Sequence, residues 1–378
     1  MGTDLKPPLA SIPPSVVSLE DYEGLARERM SPAAWAWLQG GAADELSLRD
    51  NREAFDRLRL QPRVLAGMAG GNTRLELLGE VHEHPIFLAP VAFQGLAHPD
   101  GEIASVQAAG AMQATMIVST QSGIPLETLA QAAQGPLWFQ LYVQPDRDFT
   151  VALVRRAEAA GYRALVVTVD APVSGARNRE QRAGFTLPPG ISAANLQGMR
   201  GLPPQTARAG ESPLLASALV AAAPTWKDIA WLRSLTRLPI LVKGVLNPQD
   251  ALRAADEGMA GVIVSNHGGR VLDTVPASID ALPAVAAAVG DRVPVLVDGG
   301  IRRGTDVVKA IALGASAVLI GRPFMHGLAA AGALGVVHVL HMLRTELEMA
   351  MVLCGRKTLA ELDPSVVSLQ WRPAARSH

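Results

Sequence analysis

Three kinds of chemistry meet in one short stretch of this chain. Ser265-Asn266-His267-Gly268-Gly269-Arg270, with Asp273 just beyond, follows the apolar run Gly261-Val262-Ile263-Val264. A neutral imidazole takes a proton near pH 7, and a guanidinium three residues on grips a carboxylate with two parallel donors. The glycines between them let a ligand come close to the backbone. Such a group oxidises or deprotonates a small acid, and strand-end loops are where barrel and open-sheet enzymes keep it.

The scaffold that must position these residues is written in apolar, β-branched runs of strand length. They are Ile86 to Val91, Thr115 to Thr120, Leu137 to Val143, Ala164 to Asp170, Pro239 to Val245, Gly261 to Ser265, Val293 to Val297 and Ala317 to Ile320. Each precedes a stretch rich in Ala, Leu and charge with helical spacing. Alternation of this kind predicts an α/β fold with a parallel sheet. Eight strands, without a dinucleotide GxGxxG or a Walker loop, predict a closed (β/α)8 TIM barrel rather than an open sheet.

Residues 1–378 are expected to form a single domain. A Pro-rich arm and helices at Leu19 to Arg29, Pro32 to Gln39 and Asp44 to Leu58 occupy 1–80, the barrel 81–335, and a C-terminal helix and tail 336–378. Between strands four and five, residues 186–224 are rich in Gly, Pro, Ser and Ala, and a connection of that length is expected to be a lid. Its apolar portion, Leu214 to Ala223, is far too short to span a bilayer.

On this frame the chemically useful residues fall at strand C-terminal ends. Gln140 and Tyr142 close the third strand, Thr168 and Asp170 the fourth, and Lys243 the fifth; His267 and Arg270 follow the sixth. Asp298-Gly299-Gly300-Ile301-Arg302-Arg303-Gly304 follows the seventh, and Gly321-Arg322 the eighth. Barrels carry their active sites on that face and commonly hold a phosphate after strands seven and eight. Unobstructed glycine amides beside arginines, with a helix starting near Thr305, suit such an anion.

From Leu19 to the C-terminal region the chain resembles the FMN-dependent 2-hydroxy acid oxidase and dehydrogenase family, which includes glycolate oxidase, lactate oxidase and mandelate dehydrogenase. Leu88-Ala89-Pro90-Val91-Ala92, Gln140 to Val143, Thr168 to Pro172, Leu241 to Val245, Ser265 to Arg270 with Asp273, and Asp298 to Asp306 carry the resemblance. It implies FMN as cofactor and no metal. Arg302, Gly321 and Arg322, with Asp298, Gly299 and Gly300 around them, would hold the phosphate end. Ser119, Gln140, Thr168, Lys243 and Ser265 would contact the ring or ribityl chain, with Val91 and Ala92 against the N5 edge. A cation at Lys243 stabilises the negative charge that develops on flavin reduction.

For the substrate, the resemblance makes His267 the base, Asp170 its orienting carboxylate, Arg177 and Arg270 the clamp on the acid, and Tyr142 a donor to its oxygens. Aligned on Asn51 and Gly41, Trp37 stands where most relatives have a tyrosine, and Gln121 where some have an aromatic ring. Indole offers one donor in another place and a larger apolar face, so a bulkier or more apolar acid than glycolate is expected.

Composition excludes other classes. Lys plus Arg number 34 against 35 Asp plus Glu, which gives no basic field for nucleic acid. The single cysteine, Cys354, excludes a disulfide framework and a multi-cysteine zinc site. The N-terminal stretch lacks the apolar core of a secretory signal, the C-terminal Arg376-Ser377-His378 lacks the usual peroxisomal tripeptide, and a cytoplasmic protein without a membrane span is expected.

The reading is an FMN-dependent oxidase of (S)-2-hydroxy acids such as lactate or mandelate, giving the 2-oxo acid and, with O2, hydrogen peroxide. The alternative is a dehydrogenase of the same fold that passes electrons to a quinone or other acceptor. A non-redox phosphate-binding barrel isomerase and a silent binding protein are further alternatives, and relatives imply a homotetramer.

Overall fold

The computed structural model describes residues 5–202 and 210–369; the expected tail past 369 and residues 203–209 of the expected lid lie outside them. Each of the eight apolar runs holds a barrel strand. They are β1 Ile86–Leu88, β2 Met116–Ser119, β3 Leu137–Leu141, β4 Leu165–Thr168, β5 Ile240–Val245, β6 Gly261–Val264, β7 Val295–Asp298 and β8 Ala317–Ile320. All pair in parallel, and the barrel closes through Val318↔Ile86, Leu319↔Phe87 and Ile320↔Leu88. β1 stops short of the expected Val91 because Pro90 has no amide to give to a ladder.

The strands read as continuous apolar runs because both their faces are buried. Phe87, Ile117, Trp138, Val166, Leu241, Ile263, Leu296 and Leu319 pack together as a lumen cluster. Their neighbours one residue on, from Leu88 and Val118 to Val297 and Ile320, belong to the larger cluster beneath the helices. An antiparallel ribbon, Leu75–Leu77 with Glu80–His82, plugs the N-terminal end of the barrel and adds Leu77 to the lumen cluster.

Three helices precede the barrel: α1 Asp21–Arg27, α2 Pro32–Gln39 and α3 Leu46–Arg57. Ser31 starts α2 by accepting the Ala34 amide at 3.2 Å, with Pro32 at the first helical position. The first amides of α3 are capped from far along the chain. Asp273 accepts from Ser47 N at 2.8 Å and from Leu46 N at 3.2 Å, which fastens α3 to the loop that carries His267.

The sequence predicts a last helix from Val336, but the helix already begins at Arg322 and runs to Cys354. It is broken only at Ala331 and Gly332, where φ reaches −151° and +56°. It is long and apolar enough to cross a membrane, yet 78% of its most apolar window is buried inside the protein. In the segment after β4, Ala194 N bonds Ser122 O at 2.9 Å and buried Asn195 accepts the Leu126 amide at 2.9 Å, so residues 194–195 are docked on the β2 loop.

Candidate active site

The alternation that fills the lumen also builds the site. On six strands the lumen position after the apolar one is polar: Ser119 follows Ile117, Gln140 follows Trp138, Thr168 follows Val166, Lys243 follows Leu241, Ser265 follows Ile263, and Asp298 follows Leu296. The result is a polar ring on an apolar plug, at the C-terminal rim. Ser119 donates to Gln140 Oε1 at 3.3 Å, and Gln140 Nε2 donates to Thr168 Oγ1 at 3.0 Å. Lys243 Nζ meets Asp298 Oδ2 at 2.8 Å and donates to Ser265 Oγ at 2.9 Å. Burial alone would lower the Lys243 pKa, but the Asp298 and Asp170 carboxylates hold it above the ordinary value, so the ammonium stays charged. Above the ring lies a cavity of about 310 Å³.

His267 stands on that cavity with a φ of +57°, a conformation rare outside glycine. Its amide is held by Ser265 Oγ at 3.0 Å, and the turn closes through Gly269 N to Asn266 O at 2.9 Å. Nδ1 lies 2.9 Å from Asp170 Oδ1. An ionised carboxylate only accepts, so Nδ1 carries the hydrogen and the Nε2 lone pair is left for the cavity. Burial pushes the Asp170 carboxyl up, but the facing imidazole and Lys243 more than offset this and hold it below its usual value. Asp170 is therefore anionic and fixes both tautomer and orientation.

Arg270 and Arg177 come to the same cavity from the β6 and β4 loops. Arg270 Nη1 donates to the carbonyls of Trp37 and Gly40, each at 2.7 Å, and so anchors the C-terminal end of α2. Its guanidinium carbon lies 5.4 Å from the Trp37 ring centre, a cation–π contact. Burial, and the Arg177 charge, depress the Arg270 pKa to about 10. Arg177 Nε is buried and has no hydrogen-bond partner. Arg177 Nη1 meets Glu180 Oε2 at 3.3 Å, but its Nε is left over, and two guanidiniums that burden each other beside one cavity suit an anionic ligand. The Tyr142 hydroxyl, raised by burial, is protonated and can donate beside them.

The opposite end of the cavity is also cationic. Arg322 spends its donors on the carbonyls of Leu38 at 3.0 Å, Gly268 at 3.0 Å and Gly40 at 3.1 Å. Arg302 Nη1 bonds only the carbonyl of Ile301, at 2.9 Å, while Asp306 is taken by Arg52. Burial depresses both arginines, helped at Arg322 by the Arg270 and Arg302 charges and at Arg302 by Arg52. Gly299 and Gly300 take φ of +98° and +80°, and a β-carbon at Gly300 would stand 1.8 Å from Asn51 O. Asp298 Oδ1 is buried without a partner. Paired arginines, open glycine backbone and an orphan acceptor fit the phosphate and polar edge of a flavin mononucleotide.

All expected site residues line the cavity except Asp170 and Ser265. Asp170 stands behind His267. Ser265, expected to touch the cofactor, is fully buried one layer back, where its hydroxyl holds both Lys243 and the His267 amide. The structure adds residues that the sequence reading did not single out for the site. Phe93, whose ring centre lies 6.2 Å from that of Trp37, and Phe185, stacked on Trp37 at 5.9 Å, form an aromatic wall. Phe93 also lines the cavity, and neither phenylalanine carries a local signal of function. Behind the glycine loop, Asn51 and Asn266 exchange two amide bonds of 2.8 and 2.9 Å, joining α3 to the His267 turn.

Comparison with known proteins gives the same answer from a separate direction. Residues 26–369 match the family model described as FMN-dependent dehydrogenase. The chain is 50% identical over 352 residues to an L-lactate oxidase of Roseobacter sp. (strain GAI101), covering 93% of this chain and 95% of that protein. It is 42% identical over 364 residues to glycolate oxidase of Spinacia oleracea, covering 96% and 98%. A solved structure of mandelate oxidase with (S)-2-phenylpropionate superposes with a TM-score of 0.84 at 41% identity, covering 93% of this chain and 98% of that one.

Proposed function

Because the chain belongs to the FMN-dependent dehydrogenase family and is an FMN-dependent oxidase of 2-hydroxy acids that uses O2, we propose that it acts on (S)-2-hydroxy acids with apolar side chains, L-lactate and larger, ahead of glycolate. The aromatic wall supports this reading: Trp37, backed by Phe93 and Phe185, presents apolar surface where a substrate side chain would rest. L-lactate oxidases and a mandelate oxidase are among the relatives, and the L-lactate oxidase at 50% identity exceeds the glycolate oxidase at 42%.

The observation that carries the reaction is the His267–Asp170 pair, 2.9 Å apart, with Nε2 left for a cavity that two arginines enter. Arg177 and Arg270 hold the substrate carboxylate, Tyr142 donates to its oxygens, and His267 Nε2 takes the proton released as C2 is oxidised. Asp170 stabilises the imidazolium so formed, and Lys243 compensates negative charge beneath the substrate. FMN held by Arg302, Arg322 and Lys243 would supply the two-electron acceptor and the route of those electrons to O2, giving one 2-oxo acid and one H2O2 for each acid oxidised. Anaerobic bleaching of the yellow protein by L-lactate, followed by stoichiometric peroxide on admitting air, tests the assignment. A flavin unmoved by every 2-hydroxy acid would overturn it.

The proposal includes self-association, expected as a tetramer. Val64, Leu65, Val352 and Leu353 are 54–102% exposed, and Arg63 N donates to Cys354 O at 3.1 Å, so the two exposed apolar pairs lie on neighbouring segments, which supports association through them. Light scattering that gave a monomer mass would refute this part, and fractionation of the producing cells tests a cytoplasmic location. The described part of residues 186–224 begins directly after Phe185, which supports reading it as a cover for the substrate side.

A further inference from the structure

The arginines at the phosphate end of the cavity also wall a second one. Arg302 and Arg322 line both the active-site cavity and an outer cleft of about 870 Å³ bounded by α1 and α2. Arg27 and Arg179 are its other cations, and Glu23 is its one lining carboxylate. Arg179 is paired with Glu45. Glu23, Gly24 and Arg27 are exposed, so the cleft reaches the surface. The side chains of Arg302 and Arg322 are thus the partition between solvent and the flavin site. Arg322 is tied to carbonyls alone, two of them, Leu38 O and Gly40 O, at the end of α2. Neutral acceptors can be exchanged for a phosphate or for water as α2 shifts. The substrate side, by contrast, is narrowed by the stacked rings of Trp37 and Phe185.

We propose that this outer cleft is the loading route of the cofactor: FMN enters through it with its phosphate trailing and leaves through it phosphate first, past Arg302 and Arg322. An opening in which four arginines face one carboxylate captures an anionic ligand and raises its rate of encounter. Because the phosphate is seated at the partition itself, it is the last group to bind and the first to go. Passage requires Arg322 to release the α2 carbonyls, so uptake and release are slow compared with turnover.

Gly24 provides the test. It lies in α1 on the cleft, and a β-carbon there meets nothing within 4 Å, so the position admits a side chain and Gly24→Trp adds bulk at the cleft. FMN release from the holoenzyme is followed by the rise in flavin fluorescence with excess flavin-binding protein as a trap, and uptake by quenching on adding FMN to the stripped protein. The expected result is that Gly24→Trp slows release and uptake by the same factor, about fivefold or more, with the dissociation constant unchanged and Gly24→Ala at the parent rates. Arg27→Glu should slow uptake about threefold at low salt and have little effect at high salt. Unchanged rates in Gly24→Trp would overturn the proposal and assign the route to the substrate mouth. A change in one rate alone, which alters the dissociation constant, would overturn it too, because the cleft would then be part of the bound site rather than a path to it.

Discussion

Gly244 is the reason Asp170 can stand behind His267. A β-carbon at position 244 would lie 2.4 Å from Asp170 Cγ, and the residue's φ of +106° disfavours any side chain. Gly244→Ala should therefore displace the carboxylate and disorient the imidazole. We expect kcat to fall about 10²-fold, as ångström-scale misplacements do, with FMN still bound. Parent-like turnover in steady-state assays would show that the carboxylate has another place to go.

Replacing the charge without the shape separates orientation from electrostatics. Asp170→Asn can still hydrogen-bond His267 but can favour the wrong tautomer and no longer stabilises an imidazolium. The expected loss in kcat/KM is about 10²- to 10⁴-fold, read from anaerobic flavin reduction. A small loss would remove Asp170 from the mechanism.

Trp37 sets the apolar wall, so Trp37→Tyr should move preference toward glycolate. Loss of apolar contact and gain of a hydroxyl donor predict a change of about tenfold in the lactate-to-glycolate ratio of kcat/KM. An unaltered ratio across glycolate, lactate and mandelate would mean that the wall does not touch the substrate side chain.

Asp273 belongs to the same sequence neighbourhood as His267 and Arg270, yet the structure uses it as the cap of α3. Asp273→Ala should cost about 1–2 kcal/mol of stability, as loss of a helix cap does, measurable by urea unfolding. Burial pushes the Asp273 pKa up, but the amides of Ser47 and Leu46 outweigh it and hold it below the usual value, so the cap is lost as pH falls through the lowered pKa.

His84 supplies an independent acid response at the start of β1. Its Nδ1 accepts the Ile86 amide at 3.2 Å, so Nε2 carries the hydrogen that faces Met112 O at 3.0 Å. Burial lowers its pKa to about 4 from 6.5. Between these values the unfolded chain binds a proton that the folded chain refuses, so stability falls as pH drops from 6.5 toward 4 and the effect saturates below. The full span is about 3 kcal/mol, and His84→Gln should flatten that part of the stability–pH curve.

Much of the site was legible because the barrel puts strand ends in one place. Gln140, Thr168, Lys243 and Asp298 follow apolar runs, and a parallel barrel delivers all such residues to one rim. Phe185 and Phe93 were not legible, since loop paths set their approach to Trp37 and no periodicity fixes a loop. The Asn51–Asn266 pair spans 215 positions, and mutual amide bonding at that distance has no local signature. Ser265 has the right strand-end position, but it is already engaged by two neighbours, a matter of packing that spacing does not report.

The ring of polar side chains is drawn from strands between β2 and β7, and its arginines from loops as far apart as Arg177 and Arg322. Its floor is sealed only when β8 pairs with β1, joining residues 317–320 to 86–88. No contiguous fragment of the chain therefore holds a usable flavin site. Quenching of flavin fluorescence during refolding should then be the last signal to develop, after helical dichroism, and would report barrel closure as a timed event.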